Sequence, residues 1–383
     1  MSNQFETRCV HGDSEKALRD EHRAISFPIY QTASFSHIKT GHNDSGFDYT
    51  RESNPTRRRL EEIVSSLEGA AGTTAFSSGM AAITACFELF SPGDHIVCSE
   101  DLYGGVTRLH SLIGKKNGLS FDYTDTTDIS ALSDAIGETT KAIYIETPSN
   151  PMMNVTDLSA CAALAAERGL LLIVDNTFLS PYFQNPLSLG ADIVIHSGSK
   201  FLSGHNDTIA GFLCSKDPAM AEKIHLISKT TGGVLSPFDS WLVIRGIKTL
   251  AVRMERQQEN AVKIAKWLTK QPKVTKVFYP GLKDHPGHDI SERQARGHGS
   301  MISFRVDSED TALRLLQKVK LVIFAESLGG TESLVTYPTL QTHPDVPREI
   351  KERLGINETL LRLSVGLESA DDIISDLKQA LED

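Results

Sequence analysis

The chain has 383 residues, more than one hydrophobic core usually supports, so its length predicts two domains. Hydrophobic residues at 40% and charged residues at 23% are ordinary globular usage and exclude a disordered or fibrous chain. The net charge of −10 comes without a clustered basic face for nucleic acid, and no run approaches the roughly 20 apolar residues that span a bilayer.

The opening MSNQFETRCVHGD has no apolar signal core, so a cytoplasmic protein is expected. The first fifty residues show little periodicity, and Gly41, Asn43, Asp44, Ser45 and Gly46 mark a loop. Such an arm is expected to lie on the main domain or on a partner subunit. Asn54-Pro55 then opens a helix as N-cap and first residue, with Leu60, Ile63, Val64 and Leu67 on one stripe. The run Arg57-Arg58-Arg59 reads as that helix's solvated start.

Apolar runs that read as strands follow at 73–76, 95–98, 142–146, 170–175 and 192–196, separated by amphipathic helices such as 157–168. This alternation predicts an α/β domain whose mainly parallel sheet is covered on both faces, with ligands at the carboxyl ends of the strands. After about residue 245 the texture changes. A long helix at 249–268 is followed by strands at 301–306 and 321–324 that flank a helix at 311–319, a smaller α+β domain.

Cys9, Cys86, Cys98, Cys161 and Cys214 form neither CxxC pairs nor zinc spacings, so neither disulfides nor metal are expected. The HPGH sequence at 285–288 is the nearest approach to a ligand pair, but its Pro-Gly reads as a loop.

Three features fall at strand ends. Ser77-Ser78-Gly79-Met80 opens a helix with free N–H groups suited to a phosphate. Asp175 ends a buried strand, where a carboxylate is costly without a cationic partner. Lys200, in Ser197-Gly198-Ser199-Lys200, sits where desolvation would depress its pKa and free a nucleophilic amine. Taken singly, these read equally as a tight turn, a cap and a snorkelling lysine. Together they fit pyridoxal 5′-phosphate. No GxGxxG, GxxxxGK[ST] or GxSxG pattern supports NAD, a nucleotide P-loop or serine hydrolysis.

The sequence resembles the Cys/Met-metabolism trans-sulfuration enzymes: cystathionine γ-synthases, γ-lyases, β-lyases and their relatives. Tyr49-Thr50-Arg51, Asn54-Pro55-Thr56, SSGMAA, DLYGG (101–105), ETPSNP (146–151), VDNTF (174–178), HSGSKFLSGHND (196–207), ESLGGTESL (326–334) and RLSVGLE (362–368) carry the likeness across the chain in family order. It implies an aspartate aminotransferase-like (fold type I) PLP-binding domain at 56–245 and a smaller α+β domain at 246–383. The arm at 1–55 would contact a neighbouring subunit.

By resemblance, Lys200 is the Schiff-base lysine and proton shuttle, Asp175 the pyridinium partner, and Tyr103 the stacking tyrosine that assists proton transfer. Gly79 and Met80, through their N–H groups, with Ser197 and Ser199 would hold the phosphate, Ser199 standing where the family usually has Thr, and Ser78 would bind the cofactor beside them. Thr177 and Asn150 would lie against the cofactor, and Tyr49 and Arg51 would reach the phosphate of a neighbouring subunit. Arg362 would clamp the substrate α-carboxylate, with Ser327 and Asn150 beside it. A homotetramer built as a dimer of dimers is implied. For Glu146, capping and ligand contact are both open.

Glu326 resembles the acid of γ-synthases and γ-lyases and suits the distal ammonium of cystathionine. Gly105 stands where methionine γ-lyases place a cysteine. Glu52 replaces an Arg of synthases that use acidic esters, and with Asp48 and Glu326 would form an acidic mouth. The resemblance therefore implies γ-elimination or γ-replacement on cystathionine. Cystathionine β-lyase, O-acetylhomoserine sulfhydrylase and methionine γ-lyase are the alternatives, and a catalytically silent cofactor-binding partner protein is the non-enzyme reading.

Overall fold

The computed structural model describes residues 3–13, 20, 22–40, 43, 45–344, 346 and 348–382. Of the loop expected at 41–46, Gly41, His42 and Asp44 lie outside these residues. The described part of the arm includes a helix that periodicity did not reveal, Phe5–His11, which buries Phe5 and Cys9.

The helix Pro55–Glu68 begins as its sequence predicts: Asn54 Oδ1 accepts the Thr56 N–H at 2.9 Å. Leu60, Ile63, Val64 and Leu67 are all buried, each burial stabilising by roughly 1.5–3 kcal/mol. The arginine run departs from expectation, because consecutive helical residues point about 100° apart and cannot share a solvated face. Arg57 is buried and donates to the carbonyls of Thr50 (2.7 Å) and Leu235 (3.2 Å), and Arg59 donates to that of His11. Of the three, Arg58 stands in solvent.

The first sheet comprises β1 (Gly72–Phe76), β2 (His95–Ser99), β3 (Ser120–Thr124), β4 (Thr140–Glu146), β5 (Leu171–Asp175), β6 (Ile193–Ser197) and β7 (Gly211–Ser215), in the order β1-β7-β6-β5-β4-β2-β3. The pairs from β3 to β6 are parallel, whereas β7 runs antiparallel to both β1 and β6. A thirteen-residue loop, 198–210, with no crossover helix joins β6 to β7, so the chain reverses rather than crossing over. Side chains alternate between two cores. Val97, Ile143, Ile145, Leu172 and Val174 pack with the helices Pro55–Glu68 and Leu158–Arg168. Ile96, Cys98, Tyr144, Ile173 and Ile195 pack with the helix Gly79–Phe87. All five cysteines are free thiols and buried.

The second sheet comprises β8 (Val274–Phe278), β9 (Met301–Val306), β10 (Ile323–Phe324), β11 (Leu334–Thr336) and β12 (Leu360–Ser364), in the order β10-β11-β12-β9-β8, parallel only between β10 and β11. Its core includes the helices Glu309–Lys318 and Ala370–Leu381. The strand expected at 321–324 is reduced to two exposed residues. The helix Leu250–Leu268 spans both units: Leu250 and Met254 enter the first core, Ile264 and Leu268 the second. Among the described residues no helix is long and apolar enough to cross a membrane.

Candidate active site

The parallel register aligns Glu146 at the end of β4 with Asp175 at the end of β5, and Ser197 ends β6 beside them. These ends open into a cavity of about 940 Å³. It is lined by Ser78, Gly79, Met80, Tyr103, Asn150, Asp175, Thr177, Ser197, Ser199, Lys200, Glu326, Ser327 and Arg362, thirteen positions predicted from sequence.

Asp175 is buried, and Oδ1 accepts both the Thr177 N–H (3.0 Å) and its hydroxyl (2.6 Å). Thr177 Oγ1 in turn accepts the Ser197 N–H at 2.9 Å, which ties the ends of β5 and β6 together. Burial pushes the Asp175 carboxyl up, opposed by the Thr177 bonds and by His196. Among the described residues it has no ion-pair partner. Glu146 is raised well above its ordinary value by burial and then by Asp175. Thr177 directs two donors at Asp175, so Asp175 keeps the charge of this pair and Glu146 holds the proton. Glu146 also accepts the Tyr103 N–H at 3.0 Å at the start of the helix Gly104–Leu109. It therefore caps and lines the cavity at once.

Lys200 lies in the loop after β6, and its Nζ donates to Ser327 Oγ at 2.8 Å. Burial, with Arg362 nearby, lowers its pKa to about 8, against the pull of Glu326. Ser327 has φ +102, a left-handed conformation costing roughly 1–3 kcal/mol outside glycine. Lys200 on its hydroxyl and Arg362 on its carbonyl hold it there.

Arg362 stands in the middle of β12 and is 2% exposed. It donates to Asn150 Oδ1 (2.8 Å), the Ser327 carbonyl (3.2 Å) and Thr336 Oγ1 (3.3 Å), while its buried Nε has no partner. All three acceptors are neutral, and burial lowers its pKa to about 10. One cavity thus holds a buried carboxylate lacking a cation and a buried guanidinium lacking an anion. Buried charges are costly alone, so the occupant should supply one charge of each sign.

That donor set fits the cofactor expected from sequence. A protonated pyridine nitrogen would complete Asp175, and a substrate carboxylate would complete Arg362. The Ser78 hydroxyl caps Ala81 N–H at 3.0 Å, leaving the first helical residues, Gly79 and Met80, with N–H groups that have no acceptor within the helix. Gly211 permits this turn to touch the sheet, since a Cβ there would lie 2.1 Å from the Ser78 carbonyl. Of the two serines proposed for the phosphate, Ser199 is engaged, its hydroxyl bonded to the N–H (3.0 Å) and carbonyl (3.3 Å) of Ala210.

Tyr49 and Arg51 do not line their own chain's cavity. Tyr49 is exposed, with the Arg51 guanidinium 5.5 Å over its ring, and Arg51 donates to the Lys229 carbonyl. Asp48 pairs with His37, and neither it nor Glu52 lines the cavity. The acidic mouth is therefore not assembled within one chain, and Glu326 alone of the three is present. Gly105 packs against Tyr103: a Cβ there would lie 2.4 Å from Tyr103 Cε1 and 3.0 Å from Met80 Sδ. A larger residue would displace the ring.

Sequence reasoning missed His343. Its Nε2 lies 3.0 Å from the Leu102 carbonyl and 3.1 Å from that of Asn150, and Nδ1 lies 2.7 Å from Thr342 Oγ1. Carbonyls only accept, so Nε2 carries the proton. Burial holds the ring neutral, with a pKa near 4. His343 thereby pins the Tyr103 and Asn150 loops together. No periodicity marks it within THPDVP, and both carbonyls are about two hundred residues away in sequence. Thr208 and Asp239, joined at 2.7 Å, also line the cavity without a sequence signal.

The family model described as Cys/Met metabolism PLP-dependent enzyme matches residues 6–382. The chain is 47% identical to cystathionine γ-lyase of Bacillus subtilis (strain 168) over 94% of each chain. It is 44% identical to cystathionine β-lyase of Lactococcus lactis subsp. cremoris (strain MG1363) over 99% of each. The crystal structure of cystathionine γ-synthase from Xanthomonas oryzae pv. oryzae, in complex with aminoacrylate and cysteine, superposes with a TM-score of 0.96. It is 38% identical, with 100% of this chain and 98% of that one covered.

Proposed function

We propose γ-carbon chemistry on cystathionine for this chain, which belongs to the Cys/Met metabolism PLP-dependent enzyme family. It is a pyridoxal-phosphate enzyme acting at carbon–sulfur bonds. Relatives of similar identity bear the names γ-lyase, β-lyase and γ-synthase, so residues of this site must favour one reaction. The observation that carries the γ reading is Glu326, exposed on the cavity wall next to Ser327, which meets both Lys200 and Arg362.

When bound, pyridoxal phosphate supplies an electron sink for the carbanion at the substrate α-carbon. Asp175 holds the negative charge that keeps such a ring protonated. Arg362, oriented by Asn150 and Ser327, grips the substrate α-carboxylate by a bidentate contact that a guanidinium suits. Lys200 Nζ takes the proton from the α-carbon; for γ-chemistry it would hand that proton on to the bound cofactor before taking a second from the β-carbon. Tyr103, whose hydroxyl burial keeps protonated, delivers a proton to the departing sulfur. Glu326 receives the distal ammonium.

Two outcomes are expected. Tag-free holoenzyme given L-cystathionine should release 2-oxobutanoate and cysteine. Glu326→Ala should raise KM for cystathionine about tenfold, the worth of one charge-assisted contact, with kcat changed less. Pyruvate with homocysteine would assign β-cleavage and refute the γ reading. If cystathionine is not cleaved, O-acetylhomoserine with cysteine tests the synthase direction of the same γ-chemistry. The lowered Lys200 pKa gives a further expectation: apoenzyme should capture pyridoxal phosphate at a rate that rises with pH around a midpoint of about 8, not the ordinary 10.5. Stopped-flow absorbance at several pH values reads it directly.

Tyr49 and Arg51, exposed and outside their own chain's cavity, are proposed to complete the phosphate site of a second subunit, within a tetramer. Asp48 and Glu52 on the same arm would then face that partner's Glu326.

A further inference from the structure

We propose a binding site for one divalent transition-metal ion of the zinc class at His288, Glu292 and His298, none of which lines the catalytic cavity. One ligand atom from each side chain lies within 4.8 Å of the others. His288 and Glu292 are one turn apart on the helix Gly287 precedes, His288–Gln294, and so share a face. His298 comes from the segment entering β9, and its Nε2–H donates to Glu292 Oε1 at 2.8 Å, a proton that a bound ion would replace.

Both imidazoles are oriented from behind. His288 Nδ1 lies 2.8 Å from the Pro280 carbonyl, which can only accept, so Nδ1 holds the proton and Nε2 offers its lone pair. His298 Nδ1 lies 2.9 Å from Ser291 Oγ, and its backbone N–H donates to Gln258 Oε1 at 2.5 Å. The rings are 5.5 Å apart and 27° from parallel. Imidazoles fixed through the far nitrogen by a carbonyl or hydroxyl are the usual outer arrangement of metal-binding histidines. Two nitrogens and a carboxylate with a fourth, open position match the donor set of zinc. Of the HPGH pair, only His288 takes part; His285 Nδ1 accepts the Gly287 N–H at 3.1 Å.

The ion would brace a joint between the two sheets' domains. The same helix carries Arg293, bonded to Asp157 (2.9 Å), and Gln294, bonded to the Thr156 carbonyl (3.0 Å), Gln184 (3.1 Å) and the Leu158 N–H (3.1 Å). An ion joining this helix to the entry of β9 should therefore raise the melting temperature.

The test is calorimetric titration of chelator-treated, tag-free holoenzyme with zinc chloride, together with visible spectra after adding cobalt(II). One ion per chain is expected, with the intense bands of four-coordinate cobalt and a melting temperature that rises with zinc. Glu292→Gln and His298→Phe should each weaken binding at least about tenfold and abolish the thermal shift. Cofactor absorbance and metal-free activity should be unchanged in both, which shows that they fold. No saturable binding tighter than about 1 mM overturns the site. So does zinc binding that survives both substitutions, which would place the ion elsewhere.

Discussion

Lys200→Ala should lower kcat/KM for cystathionine by more than about 10³-fold. A positioned general base contributes 10²–10⁴-fold by itself, and loss of a covalent anchor adds to that. The geometry explains why no neighbour substitutes. Nζ is the only amine lining the cavity among the described residues, and the other cation there, Arg362, stays charged. Lys200→Arg should fail equally, because a guanidinium does not deprotonate near neutral pH. The decisive readouts are keto-acid release and the colour of the protein, which borohydride should no longer fix to the chain.

The same lysine carries a stability cost of definite sign. Its folded-state pKa, about 8, lies below the ordinary 10.5, so the unfolded chain binds more protons between these values. The cost is complete below pH 8 and vanishes as pH rises through 10.5. In apoprotein, Lys200→Met, similar in shape, should be more stable than wild type at pH 7 by on the order of 3 kcal/mol. The difference should close by about pH 10.5. Denaturant midpoints at the two pH values measure this, and a difference independent of pH would refute the assignment.

Arg362→Lys should cost about 10²–10³-fold in kcat/KM, roughly 3–4 kcal/mol, the range for removing one partner of a buried charged contact. The loss should fall mainly on KM, because the role proposed for the guanidinium is to hold the substrate and not to transfer a proton. A lysine at 362 keeps the charge, but its ammonium cannot make two parallel bonds to a carboxylate while also holding Asn150, Ser327 and Thr336. Cofactor absorbance should persist, since Arg362 is proposed to face the substrate. A fall in kcat with unchanged KM would contradict the clamp. Arg362→Ala is the harsher variant, because it also empties a fully enclosed position in β12.

Local chemistry made much of this legible in the sequence. Asn54-Pro55 predicted a helix start because an Asx cap and a proline act within one turn. The runs at 142–146 and 170–175 predicted buried parallel strands because helices on both faces require apolar residues on both. Asp175 and Lys200 were conspicuous because ionisable groups beside such strands are costly unless used. β3 was not legible, as an edge strand needs no apolar run, and none of its residues is fully buried. Nor was the reversal of β7, which depends on what the loop after β6 must do in space.

By itself, the sequence determined the α/β organisation, the family and the residues that gather at one cavity, since strand ends and short motifs carry that chemistry in contiguous segments. The tertiary structure alone decided which charges lack partners. Asp175 and Arg362 are 187 positions apart in the sequence, and their lack of counter-ions is a property of every surrounding element. It likewise set Arg57 inside rather than in solvent, made His343 the pin between two distant loops, and brought His298 to His288 and Glu292. Desolvation and long-range hydrogen bonding depend on what packs around a group, and no local pattern of residues encodes that packing.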